Sequence, residues 1–274
     1  MSVAVRPTVT TSSGVTLDAR VLDWDQPIEP RALSAVAGHG PLCQGGGPGV
    51  VLTGADTLWP FPGNPVWPTG VDRPPAAVPV GEGENLTPEA LAPGRRWLAV
   101  TDSRGRLPDA WFTFFLSQGT VPPWPKGPTG LGPHHRDREL LMLVAKATPR
   151  AYLAYLRSHG IAYLVAGEDR VDLASALEIM ATEMAVENVL VDGGSKLPHA
   201  LLAAGLIDRV HVEIAPVILG TAGMTLFQVE GATLPAGIVL MPVDITVKPN
   251  GTVDALYAVD HSGESATASP CDAA

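Results

Sequence analysis

The sequence predicts an α/β protein: a mainly parallel central sheet with helices on both faces, closed by a C-terminal antiparallel hairpin. Three observations carry this. From Leu140 onward, short apolar runs alternate with helical patterns, and repeated βα units imply parallel strands covered on both sides. Residues 186–220 compress a strand, a Gly-Gly turn, a helix and a second strand into one stretch with almost no linker. Near the end, two alternating runs flank Pro249-Asn250-Gly251, the composition of a hairpin turn.

In chain order, residues 6–13 read as a strand and lead into Val15-Thr16-Leu17-Asp18-Ala19-Arg20. Residues 28–37 fit a short helix, broken by Gly45-Gly46-Gly47-Pro48-Gly49. That glycine run reads as a connector rather than a phosphate loop, because Pro48 removes a donor and no Lys-Ser/Thr follows. Val50-Val51-Leu52 and Trp97–Thr101 are buried strands, separated by a Pro-rich insertion over 59–94. A second Pro/Gly-rich excursion spans 118–138; segments of that length inside a domain are functional lids or disordered. Then follow strand Leu140–Ala145, helix Pro149–Ser158, strand Ile161–Val165, helix Val171–Met184, strand Val189–Val191, helix Leu197–Leu206, strand Val210–Ile218, and hairpin strands Met241–Val247 and Val253–Val259. No boundary divides residues 1–260, which are expected to form one domain; 261–274 are small and polar and read as a disordered tail.

Composition narrows the function classes. A net charge of −10 and a pI near 5.1 disfavour nucleic acid and anionic membranes, both of which need a basic face. No window approaches an uninterrupted membrane span, and MSVAVRPTVTT lacks the apolar core of a signal peptide. Cys43 and Cys271 have no metal-site spacing, so a cytoplasmic protein with reduced thiols is the plain expectation. No metal is expected.

The turn after Val189-Leu190-Val191 is the strongest functional signal. Adjacent Gly193 and Gly194 let a ligand approach the backbone, and the helix behind them presents free N–H groups and its positive dipole end. That arrangement suits a pyrophosphate; it also suits a tight βα turn with no ligand. Residues 186–220 as a whole resemble the RibD C-terminal family, the pyrimidine reductases of riboflavin synthesis, whose fold is that of dihydrofolate reductase. The match is carried by Val191-Asp192-Gly193-Gly194, Leu201-Leu202, Ala204-Gly205-Leu206-Ile207-Asp208 and Ile214-Ala215-Pro216-Val217-Ile218-Leu219-Gly220, with family spacing kept throughout. Three shorter matches precede it in order: Arg6-Pro7 with Thr16-Leu17-Asp18-Ala19-Arg20; Leu52-Thr53-Gly54-Ala55-Asp56-Thr57; and Ala99-Val100-Thr101-Asp102-Ser103-Arg104-Gly105-Arg106-Leu107-Pro108.

The resemblance implies a dihydrofolate reductase-like fold, hydride chemistry from NADPH (with NADH as the alternative), a small-molecule substrate and a homodimer. It implies cofactor binding by Gly193, Gly194, Ser195, Lys196 and Leu197, with the stretch extending to Ala200, and by Gly54, Thr57, Asp102, Ser103 and Arg104. Arg104 or Arg106 could hold a 2′-phosphate, or Arg104 could be a solvated loop cation. Ala55 stands where some relatives with this fold carry an Arg. Asp18 and Asp192 are the catalytic candidates: Asp18 orients substrate or braces its loop, and Asp192 is one methylene shorter than the family's Glu. Thr16 beside Asp18 is a substrate-side candidate. Ala19 replaces a Gly and is expected to resist a positive φ.

One departure is large. After Thr57 the family carries an acid and an Arg that grip cofactor and ribose phosphate; here the sequence is Leu58-Trp59-Pro60-Phe61-Pro62-Gly63-Asn64-Pro65-Val66-Trp67. Trp59, Phe61 and Trp67 would favour a flatter, more apolar substrate, or else cap the edge of the core. The expected activity is therefore NAD(P)H-dependent reduction of a small cyclic or heterocyclic substrate in a biosynthetic pathway, secondary metabolism included. The alternatives are the 5-amino-6-(5-phosphoribosylamino)uracil reductase of riboflavin synthesis and a repurposed scaffold with a binding or non-redox role. Three histidine positions stay open: His134-His135 as lid residues, His199 at a phosphate or exposed on its helix, and His211 with Glu213 as structural residues or a polar face at a pocket or dimer contact.

Overall fold

The computed structural model describes residues 5–21, 49–59, 94–116, 138–192, 195–220, 224–227, 234 and 238–261. The expected helix at 28–37, most of both Pro-rich insertions, Cys43, Phe61, Trp67, His134-His135, Gly193-Gly194, Cys271 and nearly all of the tail lie outside them.

Nine strands form one sheet: β1 (Thr8–Thr16), β2 (Val50–Gly54), β3 (Trp97–Thr101), β4 (Glu139–Val144), β5 (Ala162–Val165), β6 (Asn188–Asp192), β7 (Arg209–Ala215), β8 (Leu240–Val247) and β9 (Val253–Val259). Their order is β5-β4-β3-β2-β6-β1-β7-β9-β8. The first seven in that row are parallel, and β9 and β8 close the edge antiparallel. Among the described residues five helices accompany them: α1 (Ala55–Leu58), α2 (Asp109–Leu116), α3 (Arg150–Ser158), α4 (Leu173–Met184) and α5 (Lys196–Ala203).

Strands buried on both faces need apolar residues at every position rather than at alternate ones, and VVLTG, WLAVT and ELLMLV supply them. One face packs Val50, Leu52, Ala99, Leu141 and Val191 against Leu177 and Met180 of α4 and Leu201 of α5. The other packs Val51, Leu98, Val100 and Met142 against Trp111, Phe112 and Phe115 of α2 and Tyr152 and Leu156 of α3. Helices therefore cover both faces, as the sequence predicted. Helix α4 starts at Leu173, two residues after the expected Val171, because Asp172 caps it by accepting from the N–H groups of Ala174 and Ser175.

The structure differs from the sequence reading at several elements. Helix α2 was not anticipated, because DAWFTFFL is apolar on nearly every position and shows little helical periodicity. The four-residue α1 was also missed. Helix α5 ends at Ala203 rather than Leu206, where Gly205 takes a left-handed turn, and β7 ends at Ala215 ahead of Pro216. Ala19 does adopt a positive φ of 58°, against expectation. The turn is held by the Ala19 N–H donating to the Thr16 carbonyl, and it puts Arg20 back in register with Thr16.

The N-terminal ends of β1 and β7 are clamped together. Nη1 and Nη2 of Arg6 donate to Asp208, at 2.6 and 2.7 Å, and the Val9 N–H adds a third bond at 2.7 Å. Burial alone would raise the Asp208 carboxyl, but the Arg6 and Val9 donors outweigh it and hold it below its ordinary value. A carboxyl depressed on folding contributes stability above its unfolded pKa of roughly 3.9, and that stability is lost as pH falls through the folded value. Asp208→Asn is expected to cost about 2 kcal/mol in urea unfolding at pH 7. The gap to wild type should close as pH is lowered below roughly 4. An equal gap at pH 7 and at pH 3 would refute the clamp.

Candidate active site

β6 stops at Asp192, which lies opposite Ser12 of β1. β1 and β7 continue in register for four more residues, to Thr16 and Ala215, roughly 13 Å further at about 3.3 Å per residue. On the other side of β6, β2 runs on to Gly54. The carboxyl rim of the sheet therefore steps down at β6, a step called the notch below, with Asp192 and Ser12 side by side at its base, at the place where the chain reverses the direction in which strands are added. Ligands in open α/β sheets bind outside the carboxyl ends at such a switch point.

Cations gather on the β2–β3 side of the notch. Asp56 in α1 accepts from Arg106, from Lys196 at 3.1 Å, and faces Arg104 at 3.7 Å. Among the described residues, three cations thus face one carboxylate. Lys196 is the first residue of α5, so the cluster lies against that helix's positive dipole end. Beside it, Ser195 is buried and its Oγ has no hydrogen-bond partner among the described residues. A buried hydroxyl left unpaired costs free energy. An orphan hydroxyl, a helix N-terminus and clustered cations together fit a phosphate-bearing ligand. Gly54 belongs to the same wall: a Cβ there would meet Thr101 Oγ1 at 3.7 Å and Thr57 Oγ1 at 4.0 Å. Thr57 is exposed on α1.

Not every sequence candidate faces the notch with a side chain. Leu197 is buried in the core beside Leu201. His199, expected at a phosphate or on the surface, is buried, with Nδ1 on the Phe227 carbonyl at 2.8 Å. Asp102 is also buried; its carboxylate accepts from Arg106 N–H, Leu107 N–H and the Tyr152 hydroxyl at 2.7–3.0 Å. Burial and the neighbouring Asp102 charge raise the Tyr152 hydroxyl well above its ordinary value, so it stays a donor. Ser103 Oγ accepts from Val171 N–H at 3.0 Å. Asp102 and Ser103 thus shape the loop that aims Arg104 and Arg106. Trp59 closes α1 through its N–H to the Ala55 carbonyl, and its ring packs half-buried on the α2–α3 side of the core.

At the far wall, Asp18 accepts from Thr16 Oγ1 at 2.5 Å, Leu219 N–H at 3.2 Å and Gly220 N–H at 2.8 Å. The Thr16 hydroxyl leads in holding the Asp18 carboxyl below its usual value; burial opposes it, and the Leu219 and Gly220 N–H donors add to the lowering. An ionised Asp18 ties the β1 turn to the segment after β7. Sequence reading missed the role of Asp56, and it missed Ser12, which bonds His211 at 2.8 Å, and Asp254 on the far side of that ring. The apolar alternation of β7 flagged His211, but nothing local in sequence pairs positions 12 and 211. Among the described residues no cluster of three His, Cys, Asp or Glu could hold a metal, and no helix is long and apolar enough to cross a membrane.

The sheet order, the covered faces and the antiparallel closing strands make this a dihydrofolate reductase-like α/β fold of the RibD type. Residues 131–251 match the RibD C-terminal domain family. The chain is 37% identical over 92 residues to the 2,5-diamino-6-ribosylamino-4(3H)-pyrimidinone 5′-phosphate reductase of Methanothermobacter thermautotrophicus, covering 32% of this chain and 42% of that protein. It is 39% identical over 66 residues to the riboflavin biosynthesis protein RibD of Actinobacillus pleuropneumoniae, covering 23% of this chain and 17% of that protein. The matches thus span less than half the length of either curated relative. Among solved structures, a pyrimidine reductase-like protein from Corynebacterium diphtheriae superposes with a TM-score of 0.58 at 18% identity, covering 93% of this chain and 92% of that one. Acinetobacter baumannii RibD gives 0.53 at 18% identity, covering 93% of this chain and 58% of that one.

Gly105 links the two arginines at a φ of +64°, and a Cβ there would lie 2.9 Å from the Tyr152 ring. Gly105→Ala is expected to destabilise by about 2 kcal/mol through clash and strain, lowering the thermal midpoint by several degrees. An unchanged midpoint would mean that the loop geometry is not as drawn.

Proposed function

We propose that the protein is an NADPH-dependent reductase of a small heterocyclic substrate bound in the notch above β6. The observation that carries this reading is the convergence of Arg104, Arg106 and Lys196 on Asp56 beside the unpartnered Ser195 hydroxyl. When bound, NADPH supplies a hydride; the chain's own residues bind, orient and exclude water. In this reading Ser195, Lys196 and the backbone of 193–197 hold the pyrophosphate, with Gly54 and Thr57 alongside. Arg104 and Arg106, aimed by Asp102 and Ser103, take the 2′-phosphate in exchange for Asp56. Asp192 meets the substrate from the floor, and Asp18 and Thr16 shape the far wall. Trp59 would line an apolar side; Phe61 and Trp67 lie outside the described residues and are substrate candidates from the sequence alone. The missing acid and Arg after Thr57 point away from a phosphoribosyl grip.

The second reading is the pyrimidine reduction step of riboflavin synthesis, favoured by the 37% identity to the archaeal reductase over 92 residues. Substrates of that step, 2,5-diamino-6-ribosylamino-4(3H)-pyrimidinone 5′-phosphate and 5-amino-6-(5-phosphoribosylamino)uracil, are the compounds to assay first. Turnover of either would select this reading.

Calorimetric titration tests the cofactor site. NADPH is expected to bind in the micromolar range and at least tenfold more tightly than NADH. The double variant Arg104→Ala/Arg106→Ala should remove most of that preference while leaving NADH affinity within about threefold, since each charge-assisted contact contributes roughly 1.5–3 kcal/mol. No binding of either nucleotide to folded protein would refute the reductase reading and favour the repurposed scaffold.

A homodimer belongs to the same proposal. The edge strand β8 exposes Met241, Val243, Ile245 and Val247, the last at 68%. An apolar edge strand without charges at its apolar positions is a ready site for pairing with a second copy. Light scattering should show a dimer for wild type and a monomer for Ile245→Lys/Val247→Lys; a monomeric wild type would refute it.

A further inference from the structure

Beneath the notch, three strands contribute a continuous side-chain chain. Ser12 Oγ of β1 lies 2.8 Å from His211 Nδ1 of β7, and His211 Nε2 lies 2.8 Å from Asp254 Oδ1 of β9. Asp254 Oδ2 then accepts from Lys248 Nζ at 3.0 Å, and Lys248 also bonds Glu213. Ser12 and His211 are each 2% exposed, whereas the Lys248 side chain is 32% exposed. The chain thus runs from solvent at the β8–β9 turn to the buried floor, where Ser12 is the lateral neighbour of Asp192 on the same face of the sheet.

The chemistry of the partners fixes the proton positions. A carboxylate only accepts, so His211 Nε2 carries a hydrogen. Nδ1 then has two states: bare, accepting from Ser12 Oγ–H, or protonated, donating to Ser12 Oγ. Both suit the same geometry, so a proton can cross without moving a heavy atom. Burial would raise the Asp254 carboxyl, but the His211 and Lys248 donors outweigh it and hold it below its usual value. It therefore remains an anion able to support an imidazolium. Burying this many polar groups in a sheet is costly unless each is paired, and a purely structural β1–β7–β9 junction would be served by apolar side chains.

We propose that Ser12, His211 and Asp254 are the proton supply of the notch: Ser12 donates its hydroxyl proton to the substrate atom being reduced, and His211, held by Asp254, replaces it. This rests on the reductase reading and names its proton donor. For a carbon–nitrogen double bond, the carbon gains a hydride from the reduced nicotinamide and the nitrogen gains the Ser12 proton as the π bond breaks. The Ser12 O–H bond is re-formed with the Nδ1 proton of imidazolium His211. The ring is left neutral with its Nε2–H on Asp254, and a solvent proton restores it. Ser12 is the catalytic residue here; His211 and Asp254 act through it.

The test compares wild type, Ser12→Ala, Ser12→Thr, His211→Gln and Asp254→Asn with NADPH and 2,5-diamino-6-ribosylamino-4(3H)-pyrimidinone 5′-phosphate, or the corresponding uracil. Steady-state constants are measured in H2O and D2O, and NADPH affinity by calorimetry. Ser12→Ala and His211→Gln should lower kcat on the order of 100-fold. KM and NADPH affinity should stay within about threefold. Ser12→Thr, which restores the hydroxyl, should recover activity to within about fivefold, and the solvent isotope effect on kcat seen in wild type should change in Ser12→Ala. A Ser12→Ala enzyme with wild-type kcat and isotope effect, or a loss carried by KM or NADPH affinity, overturns the proton supply and leaves the reductase intact. A folded wild type that binds no NADPH in the calorimeter overturns both this assignment and the reductase reading beneath it.

Discussion

β6 ends at Asp192 opposite Ser12, while β1 and β7 carry on in register to Thr16 and Ala215. That mismatch of strand lengths makes the notch, and nearly every candidate residue is placed by it. It persists because the register cannot slip: moving β1 by one residue would turn Val9 and Val15 out of the core and drive Ser12 and Thr16 to the opposite face. The Arg6–Asp208 clamp pins the same register at the other end of the strands, where Asp208 also bonds the Val9 N–H.

Electrostatics at the rim follow from this geometry. The β2, β3 and β6 ends bring the 54–57 turn, the 102–106 loop and the start of α5 together, so residues separated by up to 140 positions meet at one carboxylate. Asp102 is the hinge of that convergence. Its buried carboxylate bonds two backbone N–H groups and a tyrosine hydroxyl that burial keeps protonated, so the loop bearing Arg104 and Arg106 has a fixed path. A protein of net charge −10 thereby brings three cations together at this part of its rim.

Much of the fold was legible in the sequence because its signals are local. Buried parallel strands read as short apolar runs, the hairpin carries Pro249-Asn250-Gly251, and α4 has both its cap and its period. Helix α2 was invisible because Trp111, Phe112 and Phe115 pack under the sheet with apolar neighbours on most sides, which erases the helical period. Ala19 was misjudged because a turn held by Thr16 and Asp18 can carry a left-handed residue that has a Cβ. At the site, the family motifs drew attention to Lys196, Arg104, Asp18 and Asp192. The roles of Asp56 and Ser12 depend on pairings between distant strands, which no local pattern encodes.

The central claim is that the notch and its cation cluster hold a dinucleotide. A crystal structure of the protein grown with NADP+ tests it most directly. The account predicts the pyrophosphate at the N-terminus of α5 with Ser195 Oγ newly bonded, the 2′-phosphate on Arg104 and Arg106 with Asp56 displaced, and the nicotinamide above Asp192 and Ser12. A nucleotide bound elsewhere, or one lying in the notch while Arg104, Arg106 and Lys196 stay on Asp56 and Ser195 stays unpaired, would contradict it.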